Sequence, residues 1–135
     1  MTAPTPIFLT LDEVLALHKD RIERYGGTPG LRDLAALTQA LAAASATFGV
    51  AYLHGSLPEM AAAYLFHIVT ARPFADGNKR TALLLAIVFL GLNDLRLADA
   101  DGVAELVSGV AAGRVSKAEV AVYFQRRVLP VIPRH

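Results

Sequence analysis

Apolar residues return at three- and four-residue steps along much of this chain, and the interruptions mark its elements. Leu11, Val14, Leu15, Leu17 and Ile22 form one such stripe. Thr10 and Glu13 have the spacing of a capping box and Gly26 and Gly27 stop the pattern, which predicts a helix over about 11–25. Beyond the turn TPGLRDL, Leu31, Leu34, Leu37 and Leu41 predict a second helix to about 44, with Arg32, Asp33 and Gln39 on its outward face. The period then changes. In ATFGVAYLHGSLPE, Phe48, Val50, Tyr52 and Leu53 favour extended chain while Gly49 and Gly55 punctuate it, which predicts a short hairpin or flap. Pro58, beside Glu59, opens a third helix that runs to about Ala71. Arg72 and Pro73 end it, because proline disfavours helical geometry in the residue before it.

The segment 78–93 is apolar on every side and reads as the central helix, closed by Asn93 and Asp94. DGVAELVSGVAAG and SKAEVAVYFQRRVL predict two more helices capped by Asp101 and Ser116, with Arg126 and Arg127 suited to a helix C-terminus. The tail PVIPRH is expected to be irregular. The fold class is therefore all-α, a helical bundle with a short β-hairpin, in a single domain over residues 1–135.

Composition narrows the function classes. A chain of 135 residues that is 54% hydrophobic can bury a sizeable core. With 13 basic and 12 acidic residues the net charge is +1, so bulk attraction to nucleic acid or membrane is not expected and any anion site must be local. The absence of cysteine excludes disulfides, zinc-thiolate sites and a thiol nucleophile. MTAPTPIFLTLDE lacks the pattern of a secretory signal, and the apolar run Ala82 to Leu92 is too short to span a bilayer, so a soluble cytoplasmic protein is expected.

Local chemistry concentrates at the start of the apolar helix. Lys79 and Arg80 stand where the helix already carries partial positive charge. With Gly77, Asn78 and the free amides of the first turn they make an anion cradle suited to a di- or triphosphate. Asp76 is placed to hold a divalent cation bridging those phosphates. The alternative is that Asp76 is an N-cap and the two cations are solvated or paired elsewhere. Phe74 is expected to pin the loop to the core.

The stretch RPFADGNKRTA resembles the signature of the Fic/Doc family, and RYGGTPGLRD and ATFG resemble its death-on-curing (Doc) branch, a likeness covering about residues 8–98. The resemblance implies a Fic-type helical core with the motif loop between two central helices. It implies ATP and Mg2+ as cofactors, with Asp76 on the metal and Gly77, Asn78, Lys79 and Arg80 on the phosphates. Family members transfer part of a nucleotide to a protein hydroxyl. Doc toxins move the terminal phosphate of ATP to a threonine of elongation factor Tu and arrest translation, whereas most others transfer AMP. The AMP-transferring branch has an arginine where this chain has Leu83, which favours the phosphotransfer type.

Position 72 departs from the pattern: the family's histidine, its general base, is replaced by Arg72. Arginine offers donors and no acceptor, so catalysis is expected to be impaired while nucleotide binding survives. A detoxifying substitution or a natural loss of catalysis would each give this sequence, and the completeness of the surrounding motif favours a recent change. His67 lies on the preceding helix and is expected to be a core or interhelix histidine and not a replacement base; His18, His54 and His135 have no motif partners. No self-inhibitory helix motif is present, so restraint is expected from a small antitoxin. The flap Phe48, Gly49, Val50, Ala51, Tyr52, Leu53 and His54 is the expected docking site for a target segment by strand addition, with an ordinary connecting loop as the alternative. Besides a Doc-like toxin, two readings stay open: a non-catalytic nucleotide- or protein-binding relative, and a purely structural helical domain.

Overall fold

A computed structural model describes residues 5–131, so residues 132–135 of the tail, with His135, lie outside the described part. Helix α1 spans Leu11–Tyr25 and begins with the expected capping box: the Glu13 amide donates to Thr10 Oγ1 (3.2 Å) and the Thr10 amide to Glu13 Oε1 (2.8 Å). It stops at Gly26, whose φ of 83° is open to glycine.

Helix α2, Leu34–Ala44, starts later than the leucine spacing predicts. Asp33 is its N-cap, accepting from the Ala36 amide, and Arg32 and Asp33 both donate their backbone amides to the Pro73 carbonyl. Leu31 pairs with Phe74 as an isolated antiparallel bridge. Residues 31–33 are thus taken from the helix by pairing with a loop some 40 positions away, a competitor that no local pattern reveals.

The flap is a minimal antiparallel hairpin, β1 (Thr47–Phe48) with β2 (Ala51–Tyr52), turning at Gly49 with φ +65°. Its extent is shorter than expected, because His54 leaves the hairpin and is buried. Ser56 caps α3, Leu57–Ala71, and α4 spans Asn78–Leu92. These two helices pack together at the centre, with α2, α5 and α6 also lying against α3, and α1 against α4. The central place expected for α4 alone is therefore shared. Met60 to Leu65 of α3 are all buried, while α4 keeps a solvent edge at Ile87.

Asn93 closes α4, and Leu95–Leu97 then form β3, paired antiparallel with β4, Val128–Pro130. This sheet was not anticipated: Val128 and Leu129 leave the last helix and Pro130 leaves the irregular tail to pair with it. Proline fits there because it occupies the strand's outer end. Helix α5, Val103–Ala111, is capped by Gly102 at φ +77° and not by Asp101, whose carbonyl instead accepts the Tyr123 hydroxyl at 2.9 Å. Helix α6, Lys117–Arg127, begins with a capping box between Ser116 and Glu119. The core that joins them contains Leu37, Tyr64, Leu65, Ile68, Phe89, Leu90, Val120 and Phe124. Among the described residues no helix is long and apolar enough to cross a membrane.

Candidate functional site

The loop from Arg72 to Gly77 joins the two central helices and is fixed from both sides. Arg72 is the C-cap of α3 in the left-handed conformation (φ 49°, ψ 55°), its amide still bonded to the Ile68 carbonyl. Phe74 is 1% exposed, so it does anchor the loop, and its ring stacks on His18 of α1 with centroids 3.8 Å apart and planes within 7°. The Asn78 side chain closes the loop on itself, accepting from the Phe74 amide and donating to the Phe74 carbonyl, both at 3.0 Å. That leaves the Asn78 side chain committed to the loop, with its backbone amide facing outward in the first turn.

His18 Nε2 lies 2.9 Å from the Asp76 carbonyl. A carbonyl can only accept, so Nε2 carries the proton in this bond. The Asp76 carboxylate accepts from the Thr28 amide (3.1 Å) and the Gly77 amide (2.8 Å), and these two bonds hold its pKa below the usual carboxylate value. Gly27 makes the approach possible: with φ +117°, a Cβ there would sit 2.9 Å from Asp76 Oδ2. Asp76 is not the cap of α4. That place belongs to Gly77, left-handed and without a side-chain bond, so the amides of the first turn keep no side-chain partner.

Lys79 and Arg80 follow on that first turn, and neither enters an ion pair among the described residues. Arg80 lies over the Tyr25 ring, 5.1 Å from its centroid. Arg72, Asp76, Gly77, Asn78, Lys79 and Arg80 all line one open cleft of about 820 Å³, together with Tyr25, Gly27, Thr70 and the end of α5. Three cations and one carboxylate meeting at a helix N-terminus suit a phosphate chain with a divalent ion. No group of three or more His, Cys, Asp or Glu is placed to hold a metal among the described residues. One ionised carboxylate still fits magnesium, which takes one or two carboxylates and completes its shell with phosphate oxygens and water.

The flap residues do not line this cleft. Phe48, Val50, Tyr52 and Leu53 are exposed, although the Tyr52 ring also meets that of Phe8. His67 is indeed interhelical, its Nε2 3.2 Å from Lys117 Nζ of α6.

Residues 8–90 match the Fic/DOC family. The chain belongs to that family. It is also 37% identical over 116 residues to the protein kinase doc of Escherichia phage P1, a match covering 85% of this chain and 90% of that protein. The Fic/DOC match holds α1, the flap and the motif loop, and the longer likeness to the phage protein extends past α4, placing this chain on the Doc side of the family. Sequence reasoning assigned no role at the Fic/DOC loop to His18, Thr28 or Arg32. Their contacts with it span about 40 to 58 positions and carry no spacing signal.

Proposed function

We propose that this protein is a Doc-like toxin whose cleft binds ATP with Mg2+, built to transfer the terminal phosphate to a protein hydroxyl and held inactive by Arg72. The observation that carries the reading is the convergence of Asp76, Lys79, Arg80 and the open first turn of α4 on one cleft. In the transfer, the acceptor oxygen forms a bond to phosphorus as the bond to the ADP oxygen breaks, and the hydroxyl proton needs an acceptor. Asp76 would hold the magnesium ion, which when bound neutralises charge on the phosphates. Lys79, Arg80 and the first-turn amides would hold and orient the phosphate oxygens. Arg72 gives the proton nowhere to go. His18 is bonded to the Asp76 carbonyl and stacked on Phe74, and His67 faces Lys117, so neither substitutes for it.

Leu83 supports phosphate over AMP transfer, and likeness to the protein kinase doc supports a protein acceptor, for which elongation factor Tu is the proposed target. A small antitoxin is the proposed restraint. The test is Arg72→His with ATP labelled separately on its terminal and alpha phosphates and elongation factor Tu as acceptor. Terminal label should reach the target at a rate ~10²- to 10⁴-fold above the Arg72 protein. Alpha label would turn the reading to AMP transfer, and no transfer of either label would refute it. A second reading, a nucleotide-binding relative without catalysis, is favoured by the third cation that Arg72 brings to the cleft. ATP binding by the unaltered protein, lost in Lys79→Ala/Arg80→Ala, is expected under both, and its absence would leave a purely structural domain.

A further inference from the structure

We infer that Arg32, which lies outside the cleft, is a positioning residue that holds residue 72 in its left-handed conformation and so keeps the side chain at 72 turned into the cleft. Arg32 Nε and Nη2 both donate to the Arg72 carbonyl, at 2.8 and 2.6 Å, and Nη2 also donates to the Ala71 carbonyl at 2.9 Å. These are end carbonyls of α3, which have no partner within the helix. A guanidinium there satisfies two of them in one fork and complements the negative end of the helix.

The backbone on either side reinforces the clamp. The Arg32 and Asp33 amides donate to the Pro73 carbonyl, at 2.7 and 3.0 Å, and the Ala75 amide donates to the Gly30 carbonyl. Segment 30–33 therefore grips the chain immediately after the strained residue. At φ +49°, Arg72 adopts a backbone that L side chains reach only when their surroundings impose it. Arg72 lines the cleft while Arg32 does not, so the Arg32 guanidinium acts on the site through the backbone carbonyls of residues 71 and 72. The same clamp would orient whatever side chain stands there, a base in an active protein or the present cation.

The conformational claim stands without a nucleotide. Its consequence for turnover rests on the phosphotransfer reading above. In the unaltered protein, the residue-72 Cα and Cβ shifts and amide coupling measured by NMR should report a left-handed residue. Arg32→Ala should move them toward ordinary helical or extended values while the rest of the α3 signals persist. Arg32→Lys should fall between the two, because an ammonium cannot reproduce the fork. In an Arg72→His background, Arg32→Ala should lower kcat about tenfold with the KM for ATP within about twofold, since a misdirected reacting group slows chemistry more than it weakens binding. Residue-72 signals that stay unchanged in Arg32→Ala, or in Arg32→Lys where the alanine variant does not fold, would overturn the inference. An Arg72→His protein that transfers nothing with Arg32 intact would refute the phosphotransfer reading and leave the NMR result to decide the role of Arg32.

Discussion

Arg72 carries two burdens at once, a backbone conformation that costs a non-glycine residue roughly 1–2 kcal/mol and a side chain that cannot accept a proton. The first is a property of the loop and the second of the residue, which is why a single Arg72→His change is expected to restore transfer without rebuilding the site. Asp76 can be argued in the same way. Its folded pKa lies below the ordinary carboxylate value of 3.8, so the contribution of the charged form is present above 3.8 and is lost as pH falls from there through the lower folded value. Titration of Asp76 should therefore leave Mg2+-dependent ATP binding level over about pH 5 to 8, and Asp76→Asn should remove the Mg2+ dependence and also lower the melting temperature, because its amide NH2 would face one of the two backbone N–H groups that the carboxylate accepts. Calorimetric titration with and without the metal measures both. Phe74→Ala should destabilise the protein by about 3–5 kcal/mol in denaturant unfolding, because it empties a fully buried site and strips the His18 ring of its stacking partner. Lys79 and Arg80 were legible in the sequence because their charge conflicts with the start of a helix, and Asp76 because a carboxylate beside that pair suits a metal bridging phosphates. His18 and Arg32 were not, since what distinguishes them is a contact reached through folding.

At the scale of elements, the junction of the flap, α3 and α6 should respond to acid. Burial, joined by the Lys117 charge, lowers the pKa of both His54 and His67, and their mutual charge further lowers that of His67; Glu59 opposes this at His54. A histidine whose folded pKa is depressed adds stability that is complete above its unfolded pKa of 6.5 and is lost as pH falls through the folded value. The melting temperature is therefore expected to drop between about pH 7.5 and 5, and by less in His54→Gln/His67→Gln. An equal drop in that double variant would show that the loss lies elsewhere. Helix α5 meets the turn after it just as tightly: a Cβ at Gly109 would collide with the Val115 side chain, so Gly109→Ala should cost about 1–3 kcal/mol in chemical unfolding. Helices were readable from the chain because capping residues and apolar period agree at Thr10 and Ser116, and because Pro58 marks the first turn of α3. The strands β3 and β4 were not, because three residues give too little alternation to register and their partners stand more than 30 positions apart.

For the whole molecule, the arrangement of α3 and α4 places the candidate site at one end of the central pair and the chain's two described ends at the other. The Asn93 side chain, at the C-cap of α4, accepts from the Ile7 amide and donates to the Ile7 carbonyl, and the Val131 amide donates to the Asp94 carbonyl. Neither contact could be inferred from composition or period, although Asn93 itself was legible as the helix stop. With 15 residues, α4 spans about 22 Å, and that length separates this meeting point from Lys79 and Arg80. Residues 7 and 131 are thus near neighbours on the face remote from the cleft, an invitation to protein engineering: a short linker joining them would close the chain into a ring, and new ends could be opened at the exposed Gly49–Val50 turn without approaching the cleft around Lys79 and Arg80.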